Sequence, residues 1–107
     1  MNIHALIVRL SDPDVGARWD AANDLVLAGD CAVEPLLELL KLADWSVQHI
    51  AMWVLGELRD DRAIPALVAA LDSPHLHVRL SAARALDKFD LPHTRAILVA
   101  WSAKELR

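Results

Sequence analysis

The sequence is sparing in several residue types, and each scarcity closes off a class of protein. A single cysteine, Cys31, leaves no internal disulfide available, and only three glycines with no Gly/Ser-rich or Pro-rich stretch leave nothing to divide the chain. At 107 residues it is therefore expected to form one domain over residues 1–107. Long apolar runs are missing. The run at residues 96–101 is far short of the roughly 20 residues that a membrane-spanning helix needs. Met1 leads straight into Ile3, Leu6 and Ile7, with Arg9 behind them, and this order is not that of a basic segment followed by a long apolar core. No secretory leader is expected, and with the lone cysteine this points to the cytoplasm. Positive charge is also short. The net charge is −4 with no Lys/Arg cluster, so the electrostatic footprint of a nucleic-acid or anionic-membrane binder is missing. The expected partner is a protein, not a nucleic acid or a membrane.

What the sequence does have is an internal repeat. The segments A-R-W-D-A-A-N-D-L from Ala17, V-Q-H-I-A-M-W-V-L from Val47 and V-R-L-S-A-A-R-A-L from Val78 share one pattern. A small apolar residue is followed four places on by Ala21, Ala51 or Ala82, and eight places on by Leu25, Leu55 or Leu86. That spacing marks one face of an α-helix, with alanine where two backbones come close. We call these the A helices. After each follows a turn containing Asp or Gly, then apolar residues at spacing 0, 3, 4, 7: Val33, Leu36, Leu37, Leu40; Ile64, Leu67, Val68, Leu71; and Ile97, Leu98, Trp101 behind Thr94. These are the B helices. Ile3, Leu6, Ile7 and Leu10 carry the same spacing, so the first helix reads as an orphan B helix acting as an N-terminal cap. No segment alternates apolar and polar residues with a period of two, and no sheet is predicted.

Local signals set expected boundaries: a capping helix at 1–10, then repeats at 11–41, 42–72 and 73–107. Asp12-Pro13 and Ser73-Pro74 place a capping side chain before a proline at the first helical position, opening the first and third A helices. Asp30, Asp61 and Asp90 are expected to cap the B helices, whose early turns hold Pro35, Pro65 and Pro92. The fold class predicted is all-α: a short α-solenoid of three helix pairs behind an N-terminal capping helix.

Residues 44–71, D-W-S-V-Q-H-I-A-M-W-V-L-G-E-L-R-D-D-R-A-I-P-A-L-V-A-A-L, resemble a HEAT-like repeat of the phycobilin-lyase type. The D-W-x-V start, the A-x-x-x-L-G middle and the D-x-R-A-I-P-x-L end carry the resemblance, which extends more weakly over the rest of the chain. The family usually has Arg after the first apolar residue of the A helix. Arg18 and Arg79 match, whereas Gln48 does not, and the glycine after the A-helix Leu is kept only at Gly56. The resemblance implies helix pairs stacked into a right-handed superhelix with B helices on the concave face, and a role in binding macromolecules. One enzyme group among HEAT-like proteins, the deoxyhypusine hydroxylases, binds two irons through His-Glu pairs. This sequence has no His-Glu pair, with His49-Ile50 at the corresponding place, so no metal, cofactor or catalytic residue is expected.

Other polar candidates carry little chemistry by pattern. His75-x-His77 lacks companions to complete a metal shell and reads as solvated loop histidines. Cys31 has no histidine near it in sequence and reads as a partly buried small residue. Arg18 and Arg79 are expected to reach a carboxylate of an adjacent loop and fix the stacking angle. Trp45 is expected between loops, and Trp101 in place of a core leucine. Trp19 and Trp53 face partly outward on the A helices and are candidate interface anchors, with packing between neighbouring A helices as the alternative.

With the 0, 3, 4, 7 positions buried, the residues left to line the B-helix face are Pro35, Glu38 and Leu39; Ala66, Ala69 and Ala70; and Ala96, Val99 and Ala100. Two of three helices thus offer an apolar strip, which marks an interaction surface unless the small residues pack on one another. The last helix is apolar all round at 96–101, where a terminal repeat normally has a polar face, so a homodimer or partner contact through the C-terminal helix is expected. The function read from these features is a non-catalytic protein-interaction scaffold that binds through its B-helix face or its apolar C-terminal end. The alternative, implied by the resemblance, is an accessory or lyase-like subunit of a tetrapyrrole-handling enzyme.

Overall fold

The computed structural model describes residues 2–42 and 44–106; the outer ends of the expected capping helix and third repeat, and residue 43 in the second, lie outside it. Seven α-helices occur among the described residues, and no strand: α1 (Ile3–Arg9), α2 (Val15–Ala28), α3 (Val33–Leu42), α4 (Trp45–Leu58), α5 (Ile64–Ala70), α6 (Leu76–Phe89) and α7 (Pro92–Glu105). Helices α2, α4 and α6 are the A helices, and α1, α3, α5 and α7 the B helices. Short 3-10 turns, Gly29–Ala32 and Asp61–Ala63, lead into α3 and α5. The molecule is elongated, 41 × 25 × 21 Å, as a stack of helix pairs should be.

The repeat pattern explains the core. Ala21, Ala51, Ala82, Leu25, Leu55 and Leu86 are fully buried along the A helices. The 0, 3, 4, 7 residues of every B helix are buried or packed against this core. The fourteen-residue A helices form the spine: α2 packs on α4 and, most extensively, α4 on α6. Gly56 allows that last approach. A Cβ there would lie 2.9 Å from Ala85 Cα and 3.0 Å from its Cβ, closer than packed carbons come.

Helix ends differ from expectation in five places. Helices α2 and α6 begin two residues beyond Pro13 and Pro74. The Asp12 carboxylate accepts from Asp14 N–H (2.8 Å) and the Ser73 hydroxyl from His75 N–H (3.1 Å). These bonds two residues ahead close a turn before the helix, and Asp14 becomes the N-cap, accepting from Ala17 N–H. At α5 the capping carboxylate is Asp60, not Asp61; it accepts from Arg62 N–H and starts the 3-10 turn. Asp30 sits inside the first 3-10 turn. Asp90 ends α6 in the left-handed region (φ 50°), and α7 is opened by Thr94, whose hydroxyl accepts from Leu91 N–H (3.1 Å) and donates to its carbonyl (2.9 Å). A side chain three residues into the helix thereby does the work expected of the one before it.

Candidate functional site

The surface most suited to binding lies between α3 and α5. These two B helices make little direct contact, whereas each packs firmly on the A helix that follows it, α3 on α4 and α5 on α6. The gap is a groove of about 530 Å³. Its floor is Met52 of α4 and Val78 of α6; one wall is Leu37 and Leu40 of α3, and the other is Pro65, Ala66, Ala69 and Ala70 of α5. The floor residues belong to the spine, so the groove has a rigid base.

Polar groups stand at its ends. Near the start of both helices, Arg62 bonds the Asp60 carboxylate through Nε (3.0 Å) and Nη2 (2.9 Å), reaches the Asp30 carbonyl (3.2 Å) and approaches Glu34 (3.5 Å). The guanidinium and the Arg62 N–H hold the Asp60 carboxyl well below its usual 3.8, at about 2, while Asp60 raises the Arg62 pKa. This fork ties the turn before α5 to the turn before α3 and accounts for the D-x-R spacing. At the far end Gln48 donates to the Leu40 carbonyl (2.9 Å), and Lys41 pairs with Glu38 (3.2 Å). Gln48 departs from the family's arginine, yet a neutral amide is enough to satisfy a carbonyl at a helix end.

Of the residues expected on the B-helix face, Glu38, Ala66, Ala69 and Ala70 come together at this groove. Leu39 does not: it is half-buried and packed against the core. Pro35 is half-buried within α3, and Ala96, Val99 and Ala100 are exposed on α7, outside the groove. The physical reason is a rotation. The side of α3 that meets the groove runs through Glu34, Leu37, Glu38 and Lys41, roughly 100° around the helix from the expected 35, 38, 39. Leu37 and Leu40 satisfy the core pattern and still open onto the gap, because α5 does not close over them. Met52 and Val78 are missed for the same reason: an apolar residue counted as core gives no sequence signal of facing a groove.

Trp19 and Trp53 pack edge to face (centroids 5.3 Å) across α2 and α4, and Lys88 lies over the Trp53 ring at 5.2 Å. His49 sets its ring edge to face with Trp19 and bonds the Ser81 hydroxyl (2.6 Å), which donates to the His77 carbonyl (2.8 Å). Burial, then the positive Arg84, then His77 push the His49 pKa below its usual value. His77 lies on α6, not in a loop, and stacks on Trp45, the first residue of α4, which is exposed and not enclosed between loops (5.4 Å). Trp101 is half-buried and donates its indole N–H to the Leu71 carbonyl (3.1 Å). Arg79 reaches Glu105 of α7 (2.6 Å) and the Ser73 carbonyl (2.9 Å), so its carboxylate partner comes from a helix, not a loop. For Arg18 the buried Nε has no hydrogen-bond partner among the described residues. Cys31 is exposed, donating to the Ala28 carbonyl, and not partly buried as expected. Among the described residues no group of three or more His, Cys, Asp or Glu side chains is placed to hold a metal ion. No described helix is long and apolar enough to cross a membrane.

The fold and the groove define an all-α stack of helix pairs with an open apolar channel between successive B helices. The sequence matches the family of HEAT repeats over residues 33–106, well over half of the chain, and the protein belongs to that family. The match is to HEAT repeats at large. No curated protein matches the chain.

Proposed function

We propose that the protein is a non-catalytic scaffold that holds a helical segment of a partner protein in the α3–α5 groove. The observation that carries this reading is the groove itself, apolar in its floor and along the Ala66, Ala69 and Ala70 wall, with Leu37 and Leu40 set among the charged Glu34, Glu38 and Lys41 on the α3 side. Alanines let a second helix approach closely, and an amphipathic helix laid in an apolar groove is a recurrent mode of peptide recognition. HEAT repeats generally mediate protein–protein contacts, which agrees with this reading. The tetrapyrrole-handling alternative rests on the repeat resemblance alone. No arrangement of side chains in the groove adds to it.

A helical-peptide display library selected on the wild-type protein tests the proposal. Enriched peptides should carry apolar anchors at i, i+3 or i+4, and i+7. Ala69→Asp puts an unpaired charge on an exposed wall position and should weaken their binding at least about tenfold with unchanged helicity by circular dichroism. Peptides that bind the variant as well as the wild type would show that the groove is not the site.

A further inference from the structure

Most of the large apolar side chains that the molecule exposes stand along one edge. Consecutive helices run in opposite directions, so the ends of the B helices and the starts of the A helices share that edge. Val8, Val15, Leu42, Trp45, Leu76 and Leu106 are exposed there, whereas only Leu27 among the large apolar residues described is exposed at the opposite edge. Three of them are one repeat position. Val15, Trp45 and Leu76 each open their A helix, two residues before Ala17, Val47 and Val78, and are 55%, 47% and 55% exposed. Because α2 packs on α4 and α4 on α6, the three stand in a row across the stack. The His77 ring stacks on Trp45 (5.4 Å) and ties the middle of the row to the start of α6.

The charge set into this row is negative. Asp14 and Asp44 immediately precede Val15 and Trp45, and each carboxylate accepts from the helix N–H three residues on. Neither is in an ion pair among the described residues. Of the cations at the same edge, Lys41, Arg79 and Lys104 are paired with Glu38, Glu105 and Asp72, and Arg9 stands only at the α1 end.

The spacing selects the shape of the occupant. Packed helices lie about 9 Å apart, and the row repeats at that distance. A polyproline II chain turns once in three residues with a rise of about 3.1 Å, which brings every third side chain to one face about 9 Å on. A β-strand would turn every third side chain away, and a helix about 10 Å across is too wide for a row one side chain deep. We infer that this edge binds a polyproline II segment of a partner protein, with an apolar side chain at every third position resting on Val15, Trp45 and Leu76 and basic side chains beside Asp14 and Asp44. Trp45 is the anchor, because aromatic surfaces are what such segments dock on. The edge is separate from the α3–α5 groove, and the inference does not rest on the groove being occupied.

Fluorescence anisotropy of labelled synthetic peptides on the full chain tests this. Four repeats of Leu-Pro-Arg, in which proline holds the extended conformation and leucine recurs at every third residue, should bind. A peptide of the same composition with its leucines two and four apart should bind at least about tenfold more weakly, as should four repeats of Leu-Pro-Glu. Trp45→Ala should cost at least about tenfold in affinity for the first peptide, with unchanged helicity by circular dichroism. Asp14→Asn with Asp44→Asn retains both helix caps and should remove most of the preference for arginine over glutamate. Ala69→Asp, in the groove, should leave this binding unchanged. Equal binding of the ordered and reordered peptides, or binding that survives Trp45→Ala, would overturn the inference. Loss with Ala69→Asp would move the peptide to the groove and overturn it as well. Absence of peptide binding would overturn it too, and binding to phosphatidylcholine vesicles that Trp45→Ala abolishes would then make the edge a lipid-facing surface.

Discussion

His49 illustrates what a single residue contributes. The one proton of Ser81 is committed to the His77 carbonyl, so the Nδ1–H of His49 donates to Ser81 and leaves Nε2 as the site of protonation. Adding that proton places a cation in a half-buried position facing Arg84 and His77 on α6 and the edge of Trp19 on α2. Because the folded-state pKa is depressed, the unfolded chain takes up the proton first as pH falls. Stability supplied by neutral His49 is thus full above the ordinary histidine value of 6.5 and declines as pH drops below it. Thermal melts at pH 7.5 and pH 5 should show a falling midpoint, with a smaller fall for His49→Gln; equal falls would place the acid sensitivity elsewhere. Very little of this chain of contacts is legible beforehand. His49 appears in the sequence only as the residue that stands where a metal-binding repeat would begin its His-Glu pair.

At the scale of elements, the crossing of α4 and α6 depends on the absence of a side chain at Gly56. Its glycine costs the helix about 1 kcal/mol relative to alanine, a penalty accepted because the Ala85 backbone lies where a Cβ would be. Gly56→Val should therefore lose about 2 kcal/mol, measurable as a shift in urea midpoint, through overpacking that spreads the two helices. An unchanged midpoint would mean that the crossing relaxes freely. Helix identity and the buried face of each helix are legible in the sequence, because spacings of 3 and 4 specify a face whatever the neighbours are. Helix starts are less so. Asp12 and Ser73 carry the right chemistry for a cap, but a bond two residues ahead closes a turn while a bond three ahead caps a helix, and the sequence shows the donor and acceptor types without choosing between these geometries.

For the molecule as a whole, stability is a sum over stacked neighbours, so position in the stack sets the reach of a mutation. Leu55 is fully buried on the central A helix, between partners on both sides. Leu55→Ala should cost about 3 kcal/mol and shift the whole unfolding transition. Leu6 anchors α1, which touches only α2 and α3 to any extent. Leu6→Ala should speed amide exchange in α1 and leave α4 and α6 protected. Equal loss of protection throughout would show the stack to be a single cooperative block, contrary to its nearest-neighbour contacts.

The sequence by itself determined that the protein is helical and which residues its helices bury, because these follow from local periodicity and from the size of Ala and Leu at repeated positions. It also placed apolar residues along α5 and α7. Only the tertiary structure decided which of them meet. The gap between α3 and α5 depends on how far apart two helices are held by the A helices beneath them, and no spacing within either helix encodes that distance. The same placement turned Leu37 and Leu40 from plain core residues into a wall, drew Leu39 into the core and left the outer stripe of α7 facing outward.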